Sequence, residues 1–261
     1  RKCSYAEAIK EVLGAAVDIR QYLMPKYRVT DAESKNIFSV QLPAGTQPIL
    51  DIDDVMIRIL LKWLKSRGYT VDSIIKNNLQ YLGTNVYWPY YEFDSLVYWQ
   101  SRSRLNKRFE FPSLDVYDNN GKIIGKTDGS KGDFFYGFDD VESASYLIIT
   151  EAIFDQHTLG EQALASGGAA LTSKQVNKLK VLGPKKGILL SPDRDAAGIE
   201  SILQNSDVLT KAGFNVYYSI PPDLEYKDAE GNEQRIKDWN ELGMHVCGFD
   251  KVREIHDKSI R

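Results

Sequence analysis

The feature that most constrains the fold of this 261-residue chain is an alternation that begins near residue 144. Short apolar runs, "YLIIT" at 146–150, "GILLS" at 187–191 and "NVYYSI" at 215–220, are separated by helical patterns in "FDQHTLGEQAL", "TSKQVNKLKVL" and "AAGIESILQNSDVLTKAG". Buried strands that take turns with helices predict a parallel, doubly wound sheet with helices on its faces. In such sheets ligands bind beyond the carboxyl ends of the strands.

The first half has a different texture. Residues 4–17, "SYAEAIKEVLGAAV", have helical spacing. "DDVMIRILLKWLKSRGYT" places Val55, Ile59, Leu60, Trp63 and Leu64 on one helical face, with Gly68 as the stop and Thr70 as the cap of a short helix "VDSIIKNN". From Val86 to Phe138, aromatic and polar residues alternate in "NVYWPYYEF" and "SLVYWQSRSR", with turn signals at 118–121 and 128–132, which predicts antiparallel sheet. The expected organisation is therefore an α+β subdomain over 1–143, a parallel α/β domain over 144–247, and a tail or linker over 248–261.

Charge narrows the function. Lys plus Arg number 33 against 36 Asp plus Glu, a net charge of -3, so any polyanion site has to be local. The two cysteines, Cys3 and Cys247, form no CxxC pair, so neither a disulfide framework nor a self-contained zinc site is expected. No apolar run approaches the roughly eighteen residues of a membrane span, and a reducing, cytoplasmic setting is expected. The chain begins at Arg1, as expected of an excised fragment, and Cys3 is compatible with the stub of an upstream zinc module. No GxxxxGK[ST] phosphate loop is present, so helicase activity is not expected of this chain.

Two predicted strands end in acids. "LIIT" runs into Glu151, and "ILLS" runs through Pro192 into Asp193 and Asp195; a third acid position, Asp238, opens the last predicted helix in "KDWNEL". A lone DxD serves equally well as a helix cap or as solvated charge. The combination points further, because carboxylates gathered together repel unless a cation joins them, and hard oxygen donors suit Mg²⁺ or Mn²⁺ rather than zinc.

The ordered set "LIITEAIFDQHTL", "ALASGGAALT", "LLSPDRDAAG" and "KDWNEL" resembles the Toprim domain of bacterial-type primases, topoisomerases and some nucleases. The family glutamate corresponds to Glu151, its DxD to Asp193 and Asp195, and its later acid to Asp238. Ala152 departs from the glycine usual after the glutamate. Upstream, "KWLKSRGYTVDSIIKNNLQYLG", "YWPYYEFDSLVYWQSRSRLNKRFEFPS" and "SKGDFFYGFDDV" resemble, in the same order, the segments that precede Toprim in DnaG-type primases of bacteria and phages. The resemblance covers about residues 55–243. Compact, diverged motifs favour a phage or plasmid source over a bacterial one.

That resemblance implies an RNA-polymerase core that makes short primers on single-stranded DNA from ribonucleoside triphosphates. Glu151, Asp193, Asp195 and Asp238 would be catalytic and would hold two Mg²⁺ or Mn²⁺ ions. Residues 101–109, "SRSRLNKRF", carry four cations and no acid, and cations at strand spacing can meet phosphates on one face. Arg102, Arg104, Lys107 and Arg108, with Lys131 in its Ser-Lys-Gly turn, are the candidates for template and triphosphate. A replicative helicase and an upstream zinc-binding module are the expected partners.

Bland readings run beside these. Cations on an edge strand also deter aggregation. The lysines of "TSKQVNKLKVLGPKKG" read first as a solvated face, the aromatics as sheet core, and His157 as structural. Two rival functions share the carboxylates or the fold: a Toprim nuclease, and a binding module with no catalysis. An aspartate-nucleophile phosphatase ranks last, since Ala196 and Ala197 stand where that family has a hydroxyl.

Overall fold

A computed structural model of the chain describes residues 40–49, 54–106, 108–112, 115–117, 123–126, 131–141 and 146–261. The helical segment at 4–17, Cys3, the turn at 118–121, most of that at 128–132, and the 143/144 boundary lie outside them.

The first half is built on a five-stranded antiparallel sheet of order β1-β2-β3-β4-β5: β1 (Gln47–Pro48), β2 (Gln80–Leu82), β3 (Asn85–Glu92), β4 (Ser95–Ser103) and β5 (Phe109–Glu110). The β3–β4 hairpin turns through Phe93 and Asp94, both at positive φ, and the Asp139 carboxylate accepts hydrogen bonds from both of their amides, at 2.7 and 2.8 Å. A short antiparallel pair, β6 (Asp115–Tyr117) and β7 (Ile123–Lys126), follows.

Two helices cover this sheet. In α1 (Val55–Ser66), capped by Asp54, the buried side chains are Ile57, Leu60 and Leu64. The apolar face is thus rotated from the expected one: Val55 is 62 % and Ile59 37 % exposed, because the strongest stripe for the core is the i, i+3, i+7 set starting at Ile57. Thr70 caps α2 (Val71–Lys76) in a capping box with Ser73, as expected.

The second half has the predicted parallel sheet. β8 (Tyr146–Thr150), β9 (Ala163–Ala165), β10 (Gly187–Leu190) and β11 (Val216–Tyr218) stand in the order β11-β10-β8-β9, all parallel. Both faces are covered. Leu147, Ile149, Ile188 and Leu190 pack with α4 (Ser173–Leu182) and α5 (Ala196–Lys211), while Ile148 and Leu189 face Leu159 of α3 (Ile153–Leu159) and Trp239 of α6 (Trp239–Leu242). Each such buried aliphatic side chain contributes about 1.5–3 kcal/mol.

The helix expected over "FDQHTLGEQAL" ends early. Gly160, at φ +88°, breaks it after Leu159, and Ala163–Ala165 becomes the edge strand β9. That edge is closed by Tyr136, whose backbone exchanges two 3.1 Å hydrogen bonds with Ala165. A small antiparallel hairpin, β12 (Glu225–Lys227) and β13 (Glu233–Arg235), follows β11.

Residues 248–261 form α7 (Phe249–Lys258) and pack into the sheet rather than away from it. Val252 and His256 are fully buried, and Arg261 pairs backbone to backbone with Tyr218 at 2.9 Å. His256 Nε2 lies 2.8 Å from Ser191 Oγ, where β10 ends.

The halves share a core. Ile153 and Phe154 of α3 and Ala165 of β9 pack among Leu60, Leu64, Trp88 and Tyr90. Lys178, fully buried on α4, pairs with Glu92 of β3 at 2.5 and 2.7 Å, and its ammonium lies 4.5 Å from the Phe134 ring. Its neighbour Lys174 pairs with Asp133 at 2.9 Å. In this run, then, one lysine is a structural tie rather than part of a solvated face. Tyr98 and Trp99 are core residues, and His157 stacks on Tyr69 with centroids 3.7 Å apart.

Candidate active site

The strand order creates a switch point. From β8 the chain moves outward to β9, then returns past β8 to β10, so a crevice opens beyond the carboxyl ends of β8 and β10. Glu151 follows β8 directly, and its carbonyl accepts from the Gly167 amide at 3.0 Å. Ala152 takes an ordinary extended conformation, φ −110° and ψ 154°, so this turn does not need the family's glycine.

Beyond β10, Ser191 and Pro192 lead to Asp193, which lies at the crevice. Asp195 is exposed and caps α5, its Oδ1 accepting from Gly198 N at 2.8 Å. Asp238 caps α6 in the same way, accepting from Glu241 N at 2.6 Å. It opens a four-residue helix, not the last one, since α7 follows. The two acid-bearing loops are joined through the backbone, with Arg194 N donating to Lys237 O. The Arg194 side chain donates to Pro221 O at 2.9 Å and lies 3.4 Å from Asp223. Its role is to anchor the loop from behind.

The acids feel one another. Burial pushes the Asp193 carboxyl up to about 7, with Asp238, Glu151, Asp195 and Glu241 adding to the rise. Asp238 is raised to about 6, chiefly by burial, against which the Glu241 amide and the Arg67 charge hold it down. Burial and then Asp195 raise Glu151, while Lys131 lowers it. Mutual repulsion in a partly dry crevice is the condition in which a cation binds best.

Sequence reasoning missed three residues here. Asp155, on α3 one turn after Glu151, is 2 % exposed and accepts from Asn240 N at 3.0 Å. Its carboxyl is pushed well up by burial and by the charges of Asp238 and Asp193. The signal was its i+4 spacing from Glu151. Asn240, fully buried, donates to the Arg67 carbonyl at 2.9 Å and accepts from the Arg67 guanidinium at 3.3 Å. Arg67, in the quoted "L..RG", is thereby fixed beside the acids.

A cleft of about 270 Å³ joins the two halves, lined by Trp88, Gln100, Arg102, Phe109, Lys131, Glu151 and α3. Arg102 projects from β4, its guanidinium 5.2 Å from the Phe154 ring and 5.5 Å from that of Phe109. Burial and the nearby Arg67 lower its pKa, while Asp238 opposes them. Lys131 lies against Gly167, where a β-carbon would overlap its side chain, and over the Phe111 ring at 5.5 Å. Burial lowers its pKa against the pull of Glu151.

The other basic candidates are placed elsewhere. Arg104 and Arg108 are exposed at the β4–β5 connection and do not line this cleft; Arg108 is 3.7 Å from Glu110. Strand alternation put Arg104 on the face of Arg102, but β4 ends at Ser103 and the pleat ends with it. Lys107 lies outside the described residues.

In charge and donor type the four acids fit a hard divalent cation: all are oxygen donors, and the partly buried Glu151, Asp193 and Asp238 hold their protons more tightly than usual, protons that a metal would replace. They are not drawn into a finished cage. Among the described residues no three His, Cys, Asp or Glu side chains stand at metal-holding spacing, and Asp195 and Asp238 each give one oxygen to a helix cap.

Residues 148–242 match the family model described as Toprim-like. The second half of this chain is similar to Toprim domains. A DNA primase of Clostridium acetobutylicum is 29% identical to the chain over 191 residues, which are 64% of this chain and 29% of that protein, so less than a third of the relative's length is matched. The Toprim-like half and its preceding sheet together share the fold of the primase fragment of the bacteriophage T7 primase-helicase protein: TM-score 0.55, 18% identity, 88% of this chain and 85% of that one. The primase domains in a bacteriophage T7 lagging-strand DNA polymerase complex are also similar, with TM-score 0.52, 17% identity and coverages of 75% and 88%. The expected architecture, a parallel sheet flanked by helices behind an antiparallel subdomain, is the one found, and its second half is Toprim-like. No helix among the described residues is long and apolar enough to cross a membrane.

Proposed function

We propose that the chain is the polymerase core of a DNA primase, joining ribonucleotides into short RNA primers on a single-stranded DNA template. The observation that carries this reading is the shared cleft, where Arg102 from the antiparallel sheet and Lys131 from the connecting turn face Glu151 at the end of a Toprim strand.

Arg102 and Lys131 have partly given up hydration and are not ion-paired among the described residues, so they are set to receive the phosphates of a nucleoside triphosphate. Exposed Arg104 and Arg108, with Lys107 next to them in sequence, would follow the template backbone. Glu151, Asp193, Asp195 and Asp238 would hold two Mg²⁺ or Mn²⁺ ions, which when bound activate the attacking hydroxyl and neutralise the leaving pyrophosphate. Arg67 and Asn240 fix the Asp238 loop, so that the triphosphate meets a preset geometry.

The same reading places the chain in the cytoplasm of a bacterium or phage-infected cell. It would work there in DNA replication with a helicase, as the name of the T7 primase-helicase relative suggests for that protein, and with an upstream zinc module. The test is synthesis of labelled oligoribonucleotides from NTPs, Mg²⁺ or Mn²⁺ and varied single-stranded templates. Synthesis that Asp193→Asn abolishes supports the proposal, and absence of product across templates rejects it. Cleavage of labelled DNA without NTPs would establish the nuclease reading instead.

A further inference from the structure

One polar side chain in the cleft has no partner among the described residues. Gln100 lies on β4 directly opposite Trp88 and two residues before Arg102, so both point to the same face. It is only 9 % exposed and lines the cleft, yet its carboxamide hydrogen-bonds to none of the described residues. Its amide atoms are not among the fully buried ones that lack a partner, so they open onto the cleft, and whatever fills the cleft, water or a ligand, satisfies them.

The neighbours define the chemistry of that something. The charges are supplied by Arg102, Lys131 and Glu151, and a neutral amide adds nothing to phosphate neutralisation; what it adds is direction, with two donors and two acceptor sites. The remaining wall is Trp88, Ile153 and Phe154, which suits a flat apolar ring system with a polar edge. A cleft of about 270 Å³ holds a nucleobase and part of its sugar.

We propose that Gln100 is a specificity-determining residue that hydrogen-bonds the edge of a nucleobase seated against Trp88, Ile153 and Phe154, with adenine as the preferred base. A glutamine carboxamide matches adenine in bidentate fashion, accepting from N6 and donating to N7, whereas guanine presents two acceptors at the same edge. Guanine then leaves the amide oxygen unpaired, a penalty of the size that separates right from wrong bases. This assignment rests on the nucleotide-binding reading of the cleft and is tested apart from catalysis.

The experiment is displacement of a fluorescent ATP analogue from the full chain in Mg²⁺ by ATP, GTP, CTP, UTP and dATP, for the wild type, Gln100→Leu, Gln100→Met and Arg102→Ala. The wild type is expected to prefer ATP over GTP by about ten-fold, from one lost bidentate contact. Both Gln100 variants are expected to bring the two within about two-fold, while Arg102→Ala weakens all five ligands together. Near-ultraviolet circular dichroism identifies a misfolded variant, and Met, close to Gln in volume, serves where Leu fails. Equal loss for all bases in a folded Gln100 variant, or an unchanged ATP preference, overturns the assignment. Loss of the ATP over dATP preference with base choice retained also overturns it, since the amide would then read the ribose. Failure of the wild type to bind any of the five rejects the nucleotide site itself, and so the function proposed above.

Discussion

Gly198, in the first turn of α5, packs so closely on the main chain of Asp193 that a β-carbon there would overlap the Asp193 carbonyl oxygen. Its amide also donates to Asp195 Oδ1. One small residue thus sets both acids of the DxD, through a contact on one and a hydrogen bond to the other.

Gly198→Ala separates two effects of opposite sign. Helix propensity alone makes the alanine more stable by about 1 kcal/mol. The backbone overlap predicts destabilisation by about 1–3 kcal/mol, because a carbonyl cannot rotate aside as a side chain can. Thermal melting is expected to show a lower Tm, with primer synthesis falling further than stability does; a raised Tm would count against the packing.

The Asp193 carboxyl, raised to about 7 in the folded chain, holds its proton more tightly than in the unfolded chain, where the value is 3.8. Stability from this group is therefore fully present below pH 4 and is lost as pH rises through 7. Without metal, Asp193→Asn is expected to be more stable than the wild type at pH 8 by about 4 kcal/mol. Added Mg²⁺ or Mn²⁺ should raise the wild-type Tm and leave the variant's unchanged, as differential scanning fluorimetry can read.

His256 acts in the opposite sense. Burial lowers its pKa to about 4 from 6.5. Its contribution is present above pH 6.5 and lost as pH falls through 4, about 3 kcal/mol in all. Asp193 compensates over the overlapping window, so the comparison belongs in the Asp193→Asn background. There, urea denaturation should become easier from pH 6.5 to 4, and adding His256→Gln should flatten that slope.

The Glu92–Lys178 pair ties β3 to α4 in the dry interior. Lys178→Met leaves a buried carboxylate alone and is expected to cost about 3–5 kcal/mol. Pairing it with Glu92→Leu should restore most of that loss, since two apolar groups need no mutual charge. Chemical denaturation of the two single variants and the double variant gives the coupling directly.

Much of this was legible in the one-dimensional pattern. The apolar runs at 146–150 and 187–190 and the helices between them followed from periodicity, and the acids at their ends from position. Thr70 and Asp195 announced helix starts by side-chain chemistry. The early stop at Gly160 was not read, because "GEQAL" carries enough helix formers to mask a single glycine, and only pairing with Ile148 and Ile149 makes 163–165 a strand. The α1 face was misjudged for a similar reason: with Val55, Met56, Ile57, Ile59, Leu60 and Leu61 all apolar, the sheet beneath chooses the stripe.

The sequence by itself determined the layered parallel sheet, the strand-end acids and a cationic strand, because each depends on neighbours within a few residues or on strand-helix spacing. Only the tertiary structure decided which cations meet which acids. Arg102 and Lys131 enter the cleft while Arg104 and Arg108 stay outside it, and Lys178 turns inward to Glu92. Asp155 and Gln100 gained their places by burial against residues up to 85 positions away, for Asp155 its bond with Asn240. Burial and charge proximity are properties of packed surfaces, and no local pattern encodes them.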